Sequence, residues 1–189
     1  GIGFPAFFYD GACIPAKLRM GIAEEDAKNY GLIGCVEMGT PGKEYAKTEV
    51  LRINMAMILQ LMLNHGKAAL TGDAFPLKED RDLDSISSFQ EFFDWYKSEL
   101  LHFGGLAMDC INLLDESVMH YYPTPYLSVL MEGCYEKGLD VTGGGTVYNN
   151  SGVNLCGMAN VVDSLNAIRQ VVFEEKKVTL SQLAEALRA

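Results

Sequence analysis

The 189-residue chain has no long hydrophobic run, no cluster of basic residues and no closely spaced cysteines. Its longest apolar stretch lies near residues 55–63 and falls well short of the 18 or more residues that a membrane-spanning helix needs. It has 15 lysines and arginines against 25 aspartates and glutamates, giving a net charge of −10. Nucleic acid and membrane are therefore not expected as partners.

The five cysteines are odd in number and include no C-x-x-C pair, which argues against a disulfide framework and a zinc site. The first residues include no initiator methionine, charged segment or cleavage site of the kind that marks a secretory signal. We therefore expect a protein of a reducing cytoplasm, and a chain that starts in the middle of a longer one.

The composition is that of a globular protein, with 49% hydrophobic and 21% charged residues. Capping boxes at Ser88 with Glu91 and at Thr179 with Gln182 mark two helix starts. Apolar spacing and end signals predict helices at residues 22–30, 44–64, 88–114, 126–137, 159–174 and 180–188. Strand candidates are few, at residues 3–9, 32–36 and 146–148. This pattern predicts a helix-rich α/β protein.

Two glycine-rich segments, residues 31–43 and 140–157, interrupt the helical pattern. Their glycines and asparagines are typical of chain that needs positive φ angles or close backbone approach. Both are long for simple connections, and loops of that length are often functional.

The first glycine-rich segment holds Cys35 two residues before Glu37. In extended chain, residues two apart point to the same side, so a thiol and a carboxylate would face one cavity. That arrangement suits a nucleophile or a radical centre beside a base. The alternative interpretation is a buried, inert cysteine with a surface glutamate nearby, because a free cysteine is commonly a small buried hydrophobic residue.

Other candidate motifs give weaker evidence of function. The three histidines show none of the short ligand spacings of zinc sites, and none lies in a recognisable signature that would activate a cysteine; they are His65, His102 and His120. The triple glycine at residues 143–145 lacks the Gly-Lys-Ser/Thr ending of a phosphate-binding loop, so a nucleotide site is not predicted.

The chain resembles the glycyl radical enzymes, in particular the pyruvate formate-lyase-like group of diol dehydratases, choline trimethylamine-lyase and related decarboxylases. The segment Gly34-Cys35-Val36-Glu37 is similar to the cysteine loop of that family. Further matching segments occur in collinear order over essentially the whole chain, at residues 1–7, 63–66, 123–128, 143–149, 159–165 and 172–177.

The resemblance implies a fold and a chemistry. The fold would be part of a ten-stranded α/β barrel with the cysteine loop threading its middle. Cys35 would become a thiyl radical that abstracts a hydrogen atom from a small substrate, and Glu37 would be the base that deprotonates a substrate hydroxyl. The family also implies a radical-SAM activating enzyme as partner, a homodimer, and a glycyl radical on a segment beyond residue 189. No cofactor or metal is expected within these residues, which alone would be inactive.

Two departures bear on the substrate. Formate acetyltransferases have two adjacent cysteines, whereas Gly34 and Val36 flank Cys35, which disfavours pyruvate cleavage. Many dehydratases have proline after the glutamate, where this chain has Met38. A lyase or dehydratase is the leading expectation. The alternatives are an arylacetate-type decarboxylase, a formate acetyltransferase, or a non-catalytic helical interaction module.

Overall fold

The computed structural model describes residues 7–34 and 37–188 and contains two compact units. Gly1–Leu51 and Cys110–Val153 form the first, which we call the hairpin unit. Arg52–Asp109 and Asn154–Ala189 form the second, which we call the apolar unit. The chain is mixed helix and strand, as the sequence predicts.

The helices vary widely in length. They are α1 (Asp10–Arg19), α2 (Glu24–Lys28), α3 (Met55–Leu63), α4 (Phe89–Tyr121), α5 (Pro125–Val129), α6 (Cys134–Lys137), α7 (Met158–Ile168) and α8 (Leu180–Ala186). A π-helical segment, Arg169–Glu174, continues α7, and short 3-10 turns occupy Leu83–Ser85 and Val141–Gly143.

The four strands among the described residues form two pairs. They are β1 (Gly31–Ile33), β2 (Glu37–Gly39), β3 (Glu44–Asn54) and β4 (Tyr148–Cys156). Strands β1 and β2 pair antiparallel, and β3 pairs with β4. Gly152 of β4 has no side chain because a Cβ atom there would collide with the Thr48 backbone of β3.

The apolar unit has a large hydrophobic core. Side chains of α3, α4, α7 and α8 meet in it, with Met62 and Phe92 fully buried. Aromatic edges pack there, with the rings of Phe92 and Trp95 nearly perpendicular at a centroid distance of 6.1 Å. Burial of this kind, at roughly 25 cal/mol per Å² of apolar surface, is the main stabilising contribution to the unit.

Several local signals are confirmed. The Thr179 hydroxyl accepts from the Gln182 amide while the Gln182 side chain accepts from the Thr179 amide, a complete capping box at the start of α8. The Ser88 hydroxyl likewise caps α4 by accepting from Glu91 N–H. Gly66 and Gly138, with φ angles of +76° and +64°, follow the ends of α3 and α6 in the left-handed conformation that favours glycine.

Other predictions of secondary structure are wrong. Residues 44–64 do not form one helix, because the first eleven form β3 and only Met55–Leu63 is helical. The segment 140–157 is not mainly loop, since it holds β4. Residues 126–137 are split because Gly133, at φ +93°, packs against the Gly145 carbonyl. Of the strand predicted at residues 3–9, residues 7–9 are not in a strand and the rest lie outside the described residues.

Candidate active site

A short hairpin carries the segment that the sequence singles out. Its register pairs Gly31 with Gly39, Leu32 with Met38 and Ile33 with Glu37. The strand predicted over residues 32–36 is confirmed at Leu32 and Ile33 and wrong at Gly34, which lies in a turn. Cys35 and Val36 lie outside the described residues, so a shared cavity for Cys35 and Glu37 stays a prediction.

The carboxylate of Glu37 packs against the backbone of Gly34, the residue before Cys35. A Cβ atom on Gly34 would lie 2.6 Å from Glu37 Oε2. Gly34 also has a φ of +60°, a conformation that L side chains rarely adopt. Glycine is therefore required here twice, once for the turn and once for the approach of the carboxylate. Glu37 itself is half-buried.

Close packing continues at the open end of the hairpin. A Cβ atom on Gly39 would collide with the Ile33 side chain and lie 3.4 Å from the Cβ of Ala46 in β3. A Cβ atom on Gly31 would lie 2.8 Å from the Pro41 ring. The glycines that the sequence shows as a loop signal thus serve as contact points between the hairpin and the residues that follow it.

A buried ion pair lies directly after the hairpin. Lys17 Nζ is 3.0 Å from Glu44 Oε2, and the two side chains are each only 2% exposed. The carboxylate also accepts from Thr40 N–H at 2.7 Å and from Asn150 Nδ2 at 2.7 Å. Burial raises the pKa of Glu44, but the hydrogen bonds from Asn150, Lys17 and Thr40 outweigh it and hold that pKa below its usual value.

Glu37 and Glu44 line a small cavity of about 190 Å³. Lys47, Asn150 and Ser151 border it as well. The ammonium of Lys47 contacts the Asp115 carboxylate at 2.5 Å, and the Ser151 hydroxyl donates to the same carboxylate at 3.3 Å. The cavity thus has carboxylate, ammonium, amide and hydroxyl groups at its border together with the apolar side chains of Met20, Met38 and Ala46.

Sequence reasoning missed Lys17, Glu44 and Asn150. Nothing in the sequence around Lys17 distinguishes it from an ordinary solvent-exposed lysine. Glu44 lies in a segment that the sequence predicts as helix. Their pairing spans 27 residues, and that of Glu44 with Asn150 spans 106 residues. The glycine- and asparagine-rich segment around residue 150 predicts a loop, but it does not identify Asn150 as a partner of Glu44.

Two motifs of the family resemblance form polar clusters elsewhere in the hairpin unit. Asp140 accepts from Ser128 Oγ at 2.7 Å, from Thr142 Oγ1 at 2.7 Å and from Thr124 N–H at 3.0 Å. Burial raises the pKa of Asp140, but these hydrogen bonds from Ser128, Thr142 and Thr124 together place it far below its usual value. The motif around residues 123–128 therefore has a structural role here.

The second cluster involves Tyr148, whose hydroxyl donates to Asp26 at 2.7 Å. Lys43 Nζ lies 2.7 Å from the other oxygen of the same carboxylate. The hydrogen bonds from Lys43 and then Tyr148 lower the pKa of Asp26. The cluster links α2 to Lys43, which directly precedes β3, and to Tyr148, the first residue of β4.

Two of the three histidines, His65 and His102, belong to the apolar unit. His65 Nδ1 contacts the Asp80 carboxylate at 2.8 Å in an exposed pair, and His102 Nε2 lies 3.1 Å from the Pro76 carbonyl oxygen. Across residues 7–34 and 37–188, no three histidine, cysteine, aspartate or glutamate side chains come together as metal ligands. In the same residues, no helix is long and apolar enough to cross a bilayer.

Comparison with known proteins decides the family. The profile of the pyruvate formate lyase-like family matches residues 1–189, the whole chain. The chain belongs to this family. The pyruvate formate lyase-like chain is 30% identical over 188 residues to a (2S)-3-sulfopropanediol dehydratase of Klebsiella oxytoca, covering 100% of this chain and 23% of that protein.

Solved structures of the family share its fold. The glycerol-bound B12-independent glycerol dehydratase of Clostridium butyricum matches 99% of this chain with a TM-score of 0.89 and 35% identity, over 23% of its own length. A glycyl radical enzyme of Archaeoglobus fulgidus matches 96% with a TM-score of 0.86 and 31% identity, also over 23% of its length. The pyruvate formate lyase-like chain therefore has the fold of a segment of the glycyl radical α/β barrel, and spans about a quarter of the length of these relatives.

Proposed function

We propose that the whole protein is a glycyl radical enzyme of the dehydratase or lyase type. One observation carries the proposal: the Glu37 carboxylate packs on the backbone of Gly34, next to Cys35, in a family whose compared members include dehydratases. A carboxylate packed on the residue that precedes a hydrogen-abstracting thiol would supply, together with that thiol, the pair of groups that radical elimination needs.

Cys35 acts first in this mechanism. Its thiyl radical abstracts a hydrogen atom from a substrate carbon that carries a hydroxyl group, which forms the S–H bond and leaves a carbon-centred radical. Glu37, as a carboxylate, accepts the hydroxyl proton. The substrate becomes a ketyl radical anion, in which the electron density on oxygen drives out a leaving group from the neighbouring carbon.

The elimination then closes the cycle. Loss of the leaving group with its bonding electrons gives a carbon radical next to a carbonyl. That radical takes back the hydrogen atom from Cys35 and regenerates the thiyl radical, while the proton on Glu37 leaves with the departing group. In sum, a vicinal hydroxy compound is converted to a carbonyl compound and the protonated leaving group, with no net oxidation.

The thiyl radical has to be generated from a store elsewhere in the protein. By resemblance to the family, we propose a backbone glycyl radical installed by a radical-SAM activating enzyme, which supplies the oxidising equivalent that turns the Cys35 thiol into a radical. We further propose a homodimer acting in the cytoplasm, on the same ground.

The size of the cavity and the names of the relatives support a choice of substrate class. A volume of about 190 Å³ bordered by Glu37, Lys47 and Asn150 suits a small molecule. One relative is named for a sulfonated propanediol and a structural neighbour binds glycerol, both with hydroxyls on adjacent carbons. We propose a small vicinal diol or polyol. The single cysteine, without an adjacent one, makes pyruvate a poorer candidate.

The experiment uses the whole protein, activated anaerobically by its activating enzyme. Electron paramagnetic resonance measures the glycyl radical, and carbonyl product is assayed with vicinal diols, amino alcohols, arylacetates, and pyruvate with coenzyme A. We expect a radical and turnover of a diol. Absence of a radical after correct activation would refute the proposal, and release of carbon dioxide from arylacetates would favour the decarboxylase instead.

Two variants assign the roles. Cys35→Ser should keep the glycyl radical signal and lose turnover, whereas Cys110→Ser, at an exposed free cysteine of α4, should behave as the wild type. Glu37→Gln keeps the shape of the side chain but removes the base, and should lower kcat by about 10²- to 10⁴-fold. Turnover by Cys35→Ser would exclude the thiyl mechanism.

A further inference from the structure

One carboxylate joins the elements around the base of the hairpin. Glu44 Oε2 accepts from the Thr40 amide, which directly follows β2, and from Lys17 of α1. Its other oxygen accepts from Asn150 of β4. Three separate chain segments therefore meet at a side chain that is almost completely buried, and the glutamate itself starts β3.

A buried ion pair is a poor way to gain stability alone. The cost of removing both charges from water offsets their attraction, and well-packed apolar residues of similar size often do as well or better. What the pair supplies is direction, because a charged hydrogen bond fixes distance and angle where an apolar contact does not. The Lys17–Glu44 pair therefore has the properties of an interaction that fixes the relative positions of the segments it joins.

We propose that Lys17 and Glu44 are positioning residues that hold the hairpin, and through it set Glu37 against Gly34. The catalytic importance of that geometry rests on the proposed function, whereas the fixing of the hairpin by Lys17 and Glu44 does not depend on it. Glu44 borders the cavity, but its side chain is only 2% exposed and both of its oxygens already accept hydrogen bonds from protein groups, so its role here is to position rather than to bind. Both act through the backbone of Thr40.

The mechanical path is short. Thr40 follows Gly39, which packs between Ile33 of β1 and Ala46 of β3. Glu37 is three residues upstream of Thr40 in extended chain, about 10 Å away. A shift of the hairpin base would thus reach the carboxylate with little attenuation, and a misplacement of about 1 Å costs on the order of 10²-fold in rate.

The thiol and the base act in different steps on the same substrate, and both have to be correctly positioned for turnover. Misplacement of the base is therefore expected to lower kcat. In the activated whole protein, Glu44→Gln should lower kcat per glycyl radical by about 10- to 100-fold, with a much smaller change in KM. The double variant Lys17→Met/Glu44→Leu should fold well, because it replaces both charges with apolar groups, yet keep the low kcat, because Thr40 N–H has lost its acceptor.

The matched control is Asp140→Asn. Asp140 is also a hydrogen-bonded carboxylate of the hairpin unit, but the groups that donate to it belong to Thr124, Ser128 and Thr142, which are all remote in sequence from the hairpin. It should lower stability while leaving kcat per radical within about twofold. Wild-type kcat per radical in Glu44→Gln or in the double variant would overturn the positioning role.

Hydrogen exchange separates this inference from the proposed function. In the whole protein without activation, amides of residues 37–40 should exchange at least about tenfold faster in Glu44→Gln and in the double variant, and at the wild-type rate in Asp140→Asn. Unchanged exchange in both variants would overturn the inference even if the enzyme works as proposed. Faster exchange in these variants of a protein that forms no glycyl radical on activation would support the positioning role of Lys17 and Glu44 and refute the proposed function.

Discussion

The two units of the chain are stabilised by different means. In the apolar unit, the buried side chains of α3, α4, α7 and α8 are almost all hydrophobic, and Glu99 is the exception among its described residues. In the hairpin unit, charged and hydroxyl side chains are buried beside the hydrophobic ones: Lys17, Thr40, Glu44, Thr142 and Thr146. The candidate active site lies in the unit with the polar interior.

The difference is physical as well as compositional. Apolar packing is non-directional, so it stabilises a shape but tolerates small shifts. A satisfied polar network in a low-dielectric interior is directional, and it destabilises the protein strongly when one member is removed. The proposed pair of Cys35 and Glu37 would benefit from the second kind of interior, at some cost in stability.

The apolar unit should show the largest single loss of stability. Phe92→Ala removes a fully buried ring that contacts Trp95 and Phe173, and should lower the free energy of opening by about 4 kcal/mol. Hydrogen exchange of amides in α3 and α7 measures it. Gln90→Ala, at an exposed polar position of the same helix, is the control and should change little. Equal effects of the two would contradict the core assignment.

The next largest loss tests the polar interior. Lys17→Met leaves the buried Glu44 carboxylate without its cation and should cost about 3 kcal/mol, measured by exchange of amides in the hairpin unit other than those of residues 37–40. Lys17→Met/Glu44→Leu should regain most of that loss. A double variant as unstable as the single one would mean that packing, rather than charge, decides the stability at this position.

Asp140 makes the polar interior sensitive to pH. Its pKa is lowered from 3.8 in the folded protein, so its stabilisation is complete above about pH 4 and is lost as the pH falls through the lower folded pKa. Asp140→Asn should cost about 2 kcal/mol at pH 7 and less with increasing acidity. Hydrogen exchange, corrected for intrinsic rates, compares the two proteins from pH 7 to 3. A cost independent of pH would contradict the charged role.

The smallest effect concerns a local signal. Thr179→Ala removes the hydroxyl that caps α8, and should cost about 1 kcal/mol in local opening of that helix. Ser181→Ala, inside the same helix, is the control and should be neutral or slightly stabilising, because alanine is the better helix former. Exchange of the α8 amides measures both, and equal values would show that the cap contributes nothing.

The chain expressed by itself is a separate test of the apolar surface. Large apolar side chains are exposed on the described residues of both units, including Leu70 at 98%, Tyr126 at 83% and Leu187 at 68%. Surfaces of this kind are normally covered by other protein. We expect the 189 residues alone to aggregate, and a sharp monomer peak in size-exclusion chromatography with cooperative melting would contradict that.

Local signals predicted the ends of elements better than their type. The Thr179 and Ser88 caps and the Gly66 and Gly138 terminators are confirmed because each acts within a few residues. Residues 44–54 were predicted as helix because Val50, Leu51 and Met55 fall at helical spacings. They form β3 because pairing with β4, about a hundred residues away, overrides a pattern that suits either structure.

The site was predicted in part. Glycine, cysteine and glutamate at positions 34, 35 and 37 identified the segment and the family, and the structure adds that Glu37 packs against Gly34. The expectation of a continuous strand there failed, because the register of the hairpin depends on partners that a single segment cannot reveal. Whether Cys35 and Glu37 face one cavity remains a prediction.

The sequence by itself determined the family, the helix caps and the residue types that carry the proposed chemistry, since each depends on neighbours close along the chain. Tertiary structure alone decided that Lys17, Glu44 and Asn150 meet, because their contacts span 27 and 106 residues and a buried charge is stable only where folding brings its partners to it. The groups that would act are readable locally, whereas the groups that would hold them in place come from distant parts of the chain.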